Sequence, residues 1–90
     1  MNKHNLKVTY DRASDVLYLT TRPGAPARSK HGRMGLVLRY DPATSEPIGV
    51  TVVDFAEYWR HRIDELVDEI VAHLQTPRQV AYDAVQSQLH

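Results

Sequence analysis

The chain has no cysteine. That excludes disulfides, thiolate nucleophiles and cysteine-held zinc or iron–sulfur sites. It also lacks any apolar run near the ~20 residues that a membrane-spanning helix needs. Met1-Asn2-Lys3-His4 leads straight into a strand pattern, so neither a signal peptide nor a membrane partner is expected, and the implied setting is cytoplasmic. Net charge is missing too: 11 Lys and Arg balance 11 Asp and Glu. A nucleic-acid-binding domain is usually clearly basic, which argues against nucleic acid as a partner.

What is present fits an ordinary globular domain: 90 residues, 42% of them apolar, enough for one modest core. The zero net charge hides an asymmetry. Residues 1–40 carry eight Lys and Arg against two Asp, a balance of +6, and residues 41–90 carry three Arg against nine Asp and Glu, a balance of −6. The plain reading is a basic sheet beside an acidic helix, attracting each other within a molecule or across a dimer.

Leu6-Lys7-Val8-Thr9-Tyr10 alternates apolar and polar residues as a half-buried strand does. Asp11 to Ser14 suits a turn, since short polar side chains bond nearby backbone amides. Val16-Leu17-Tyr18-Leu19 then returns as a second strand. A four-residue turn predicts Tyr10 opposite Asp15, Val8 opposite Leu17 and Leu6 opposite Leu19. Leu6, Val8, Tyr10, Leu17 and Leu19 then share one face, with Lys7, Thr9, Val16 and Tyr18 on the other. Residues 21–33, punctuated by Pro23, Gly24, Pro26 and Gly32, read as a basic loop on the surface. Gly35 to Tyr40 and Ile48 to Val53 follow as two further strands, joined by a turn from Asp41-Pro42 to Glu46-Pro47. Gly49 marks a bulge or a close approach of another backbone or ring.

From Phe55 to Leu74 the residues Phe55, Trp59, Ile63, Leu66, Val67, Ile70 and Leu74 recur at helical spacing, with Asp54 as N-cap and Glu57 three on. Such a helix is ~30 Å long, against ~20 Å for the strands, so it should overhang the sheet. Thr76 as N-cap and Pro77 at the first position open a short second helix toward Leu89. The expected fold is α+β: a four-stranded antiparallel β-meander with a long helix on one face and a short C-terminal helix. Residues 1–75 form the sheet-plus-helix domain and residues 76–90 its helical tail. Leu17, Leu38, Val50, Trp59, Ile63 and Ile70 are the expected core between sheet and helix.

The block Tyr10-Asp11-x-x-Ser14-Asp15-x-Leu17-Tyr18-Leu19, followed by Ile48-Gly49-Val50-x-Val52-Val53, resembles the small bacterial family catalogued as domain of unknown function 2283. Ser14 stands where that family usually has Ala. The resemblance covers residues 6 to about 55. It implies a fold and a bacterial origin but no established activity. Some relatives are thought to sit beside small toxin-like proteins, so it also implies a toxin-like protein as a partner and an antitoxin-like role.

Candidate chemistry is thin. Asp11 and Asp15 flank an exposed hairpin, which offers no cleft to push two carboxyl pKa values apart, so they read as turn residues. His61, Glu65, Glu69 and His73 share a polar helical stripe that should face water rather than hold a metal. Ser29 lies near His31 without a third group to orient them. No catalytic, cofactor-binding or metal-binding residue is therefore assigned, and no cofactor is expected. The sheet face away from the helix mixes aliphatic, aromatic and cationic groups, as a protein-binding surface can. Its candidate partner-binding residues are Lys7, Tyr18, Val37, Arg39 and Val53, with Trp59 added from the helix. The reading is a self-associating interaction module, a homodimer. The competing classes are a small enzyme or a nucleic-acid binder using the basic region 22–39.

Overall fold

The computed structural model describes residues 6–89; the expected N-terminal run before the first strand lies outside them. The fold is α+β with one antiparallel sheet. Its strands are β1 (Lys7–Asp11), β2 (Val16–Thr20), β3 (Arg28–His31), β4 (Leu36–Tyr40) and β5 (Pro47–Val53). A single π-helical turn (Phe55–Trp59) follows, then helices α1 (Ile63–Leu74) and α2 (Arg78–Gln86). Among the described residues no helix is long and apolar enough to cross a membrane.

Three expectations about the sheet and the long helix are corrected. Among the described residues the sheet has five strands, not four, in the order β1-β2-β5-β4-β3, so it is not a meander. The extra strand is Arg28-Ser29-Lys30-His31, all four exposed. It carries no apolar alternation because it buries nothing, and short charged strands are how sheets blunt an edge. β5 lies in the middle because it is the longest and most apolar strand, with Ile48, Gly49, Val50 and Val52 buried. The chain must therefore pass from β2 to β3 over the end of the sheet. The second correction is register. Tyr10 faces Leu17 and Val8 faces Leu19, two residues from the expected pairing. A shift of two keeps every side chain on its expected face, whereas a shift of one would have inverted the sheet.

The third correction is the long helix. It is broken: Arg62 has φ −133° and ψ 38°, which separates the π turn from α1. Asp54 does not cap it, for its own backbone is left-handed at φ 58° and its side chain makes no cap bond. The break lets Phe55 and Trp59, 0% and 1% exposed, both enter the core while α1 takes its own line over the sheet. Twelve residues make α1 only ~18 Å long. The expected overhang therefore disappears.

The core is a single cluster. Leu17, Leu19, Leu36, Val50 and Val52 meet Phe55, Trp59, Leu66, Val67 and Ile70. Leu38 and Ile63, expected at its centre, lie partly buried at its margin. Ala81 and Val85 of α2 belong to the same cluster, and α2 packs against α1 and β1, so the tail docks within the chain. Thr76 is not the N-cap of α2: Pro77 precedes the helix in extended geometry, and the Thr76 hydroxyl is buried without a hydrogen-bond partner among the described residues.

Candidate protein-interaction surface

Antiparallel register assembles the outer face of the sheet, opposite the helices, from three rows. The middle row runs Thr9, Tyr18, Thr51, Val37, His31 across all five strands. On one side lies the row Lys7, Thr20, Gly49, Arg39, Ser29, and on the other Asp11, Val16 and Val53. The predicted outer-face set thus occupies one surface. Tyr18 is 40% exposed and Val53 42% exposed; Lys7 is exposed, and Val37 and Arg39 are half-buried. Trp59 is elsewhere. It is a core side chain with no accessible surface to offer a partner.

Sequence reasoning missed two residues of this surface. Met34 and Tyr58, 41% and 37% exposed, join Val37 and Val53 around a shallow groove of about 500 Å³, with His31, Gly35 and Asp54 completing its wall. Met34 comes from the short 3₁₀ turn Arg33–Gly35, where its backbone is left-handed at φ 57°. Tyr58 comes from the π turn, with the Arg62 guanidinium 4.4 Å from its ring centre. The broken helix created this position, so a regular 3.6-residue pattern could not have revealed it. Among the described residues, Tyr18, Met34, Val53 and Tyr58 are the exposed large hydrophobic side chains.

A second hollow, of about 200 Å³, lies at the other end of the same face, between Tyr18, Arg39, Gly49 and Thr51 and the passing loop at Gly24, Ala25 and Ala27. Gly49 is needed there because a Cβ would stand 2.9 Å from the Leu19 carbonyl oxygen. Its missing side chain also leaves the hollow open. The loop itself is held down by Arg22, which pairs with Asp41 at 2.7 Å and with Glu46. Asp41 in turn accepts from the Ala43 and Thr44 amides at 2.8 and 3.1 Å, and those bonds with the Arg22 charge hold its carboxyl below the usual range.

The turn between Asp11 and Asp15 is a joint rather than a reactive pair. Asp15, left-handed at φ 58°, turns its carboxylate onto the start of the π turn. The Ala56 and Glu57 amides donate to it at 2.7 and 3.1 Å, the Tyr10 hydroxyl donates at 2.6 Å, and the Phe55 amide donates to the Asp15 carbonyl at 3.1 Å. Burial pushes the Asp15 carboxyl up, but the bonds from Tyr10, Ala56 and Glu57, with the Arg60 charge, outweigh it and leave the group below its ordinary value. Asp11 serves its own turn, accepting from the Ala13 amide at 3.1 Å. The two carboxylates have separate structural jobs.

The remaining candidates do not converge. Glu69 pairs with Arg33 at 3.3 Å, and His73 turns toward the sheet, edge-on to Tyr40. Burial lowers the His73 pKa. Among the described residues no three His, Asp or Glu are placed to hold a metal ion. The basic region is dispersed: Arg22 is paired, Arg28 reaches Ser45, and Arg33 reaches α1. No family model matches the chain, and no match is found among curated proteins or solved structures.

Proposed function

We propose that this chain is a small protein-interaction module whose binding surface is the outer face of the sheet. One observation carries the reading. The four exposed large hydrophobic side chains flank or lie on that face, while the helical side presents charged residues. Contiguous exposed apolar surface rimmed by polar groups is a common mark of protein contact sites. Tyr and Met are favoured at such sites: the aromatic ring buries much area at little entropic cost, and the thioether adapts its shape to the partner. The resemblance of residues 10–19 to domain of unknown function 2283 adds a narrower version, an antitoxin-like hold on a small toxin-like protein, and that version rests on the resemblance alone.

The test is a photoreactive amino acid placed at Val53, or in parallel at Glu65 on the exposed side of α1, in the host cell. A defined covalent adduct from position 53 and none from position 65 is the expected result. Adducts from position 65 alone, or from neither, contradict the assignment.

A further inference from the structure

Charge and shape across the outer face specify what kind of partner fits it. Lys7 and Arg39 lie on one flanking row, whereas Asp11 closes the opposite end of β1 and Asp54 follows directly on the opposite end of β5. Arg22, Arg33 and Arg78 are neutralised within the chain, whereas Lys7, Arg39, Asp11 and Asp54 join no ion pair among the described residues. The end bearing the two cations also carries the hollow over Gly49, and the end bearing the two carboxylates carries the exposed Val53 and Met34. Each end therefore complements the other, not itself.

Resting on the outer face being the binding surface, we propose that its partner is a second copy of this chain, stacked sheet on sheet with the strands antiparallel. The two-fold axis runs along the middle row, across the strands. Rotation about it lays β1 over the partner's β1, which brings Lys7 to Asp11 in both directions. It brings Arg39 toward Asp54, one strand spacing (~4.8 Å) aside. It also seats Val53 over the Gly49 hollow, so that the bare backbone of one copy receives the exposed valine of the other. Aligned face-to-face packing of this kind is the ordinary geometry of two-layer sheets. A two-fold interface uses every contact twice, so one charge pair becomes two. The same face turned parallel, about an axis along β5, would set Lys7 over Ser29 and Arg39 over Thr20, with no carboxylate opposite either cation, and charges left unpaired in the interface select against that arrangement.

Sedimentation equilibrium of the purified full chain at tens of micromolar tests this, with thermal melts confirming that each variant is folded. Wild type should be a dimer that weakens as salt rises. Lys7→Glu alone and Asp11→Lys alone should each weaken it about tenfold or more, because each reversal places two repulsive contacts in the interface. The two together should restore dimerisation to within a few-fold of wild type. Arg39→Glu gives an independent arm: it should weaken the dimer, and adding Asp54→Asn, which tolerates the left-handed backbone, should relieve part of the loss. A monomeric wild type overturns the proposal and leaves the crosslink from position 53 to judge the broader reading. A dimer dissociated by Val53→Ser but indifferent to every charge change keeps the outer face as the interface and overturns the antiparallel stacking.

Discussion

The two faces of this sheet are made from the same strands and have different consequences. On the inner face Leu17, Leu19, Val50 and Val52 are at most 1% exposed, closed over by Phe55, Trp59 and α1. On the outer face the alternate residues Tyr18, Thr51, Val37 and Val53 remain partly or well exposed to solvent. A sheet sorts its residues by parity, so one strand can serve stability and recognition at once without sharing a side chain between them. Valine recurs on both faces of β5, and only position decides what each one does.

The largest effect should come from breaking the inner face. Leu17→Ala or Ile70→Ala, both at fully buried sites, should cost about 2–5 kcal/mol in a urea titration. Val53→Ser, on the other face of the same sheet, should move stability by about 0.5 kcal/mol or less while weakening any association. Equal losses on both faces would erase the distinction.

A smaller loss is expected at the joint that sets one face against the helices. Asp15→Ala removes the acceptor for two backbone amides and the Tyr10 hydroxyl. It should cost about 1–3 kcal/mol, more than Asp11→Ala, whose carboxylate serves one exposed amide. The pH dependence follows in sign. The folded-state pKa of Asp15 is lowered from 3.8, so its contribution is fully present above that value and is lost as pH falls through the folded pKa. His73, lowered by burial from 6.5, acts in the same direction over a higher range, as its neutral folded form must be charged. Stability should therefore start to decline below about pH 6.5. His73→Gln should remove the upper part of that decline, and Asp15→Asn the lower.

The smallest effect should be a gain. Thr76→Val keeps the shape of a buried side chain and removes a hydroxyl that has no partner among the described residues. Chemical denaturation should show it stabilised by about 1 kcal/mol. A loss of similar size would mean that the hydroxyl is satisfied in solution.

The sequence carried the parity of each apolar strand legibly, because alternation is local. Leu17 and Val52 could be placed inside, and Tyr18 and Val53 outside, without knowing which strands are neighbours. Strand order was not legible: Val16–Thr20 pairs with Pro47–Val53, and that choice depends on the burial of a strand 30 residues away. Arg28–His31 escaped notice because an edge strand facing water needs no apolar pattern. The helix boundary failed for a related reason. Asp54 has the residue type of an N-cap, but Asp15 reaches across 41 residues to take the role. Tyr10 and Asp15 looked like turn chemistry, and only the fold shows that they fasten the sheet to the chain that covers it.

The central claim, that one face of the sheet is core and the other is a contact surface, is tested most directly by methyl NMR over a concentration series. With the isolated chain, the Met34, Val37 and Val53 methyl signals should shift or broaden as concentration rises. Those of Leu17, Val50 and Ile70 should stay fixed. Changes confined to the exposed side of α1 and α2, or an outer face that stays still up to millimolar concentration while the chain associates, would contradict the account.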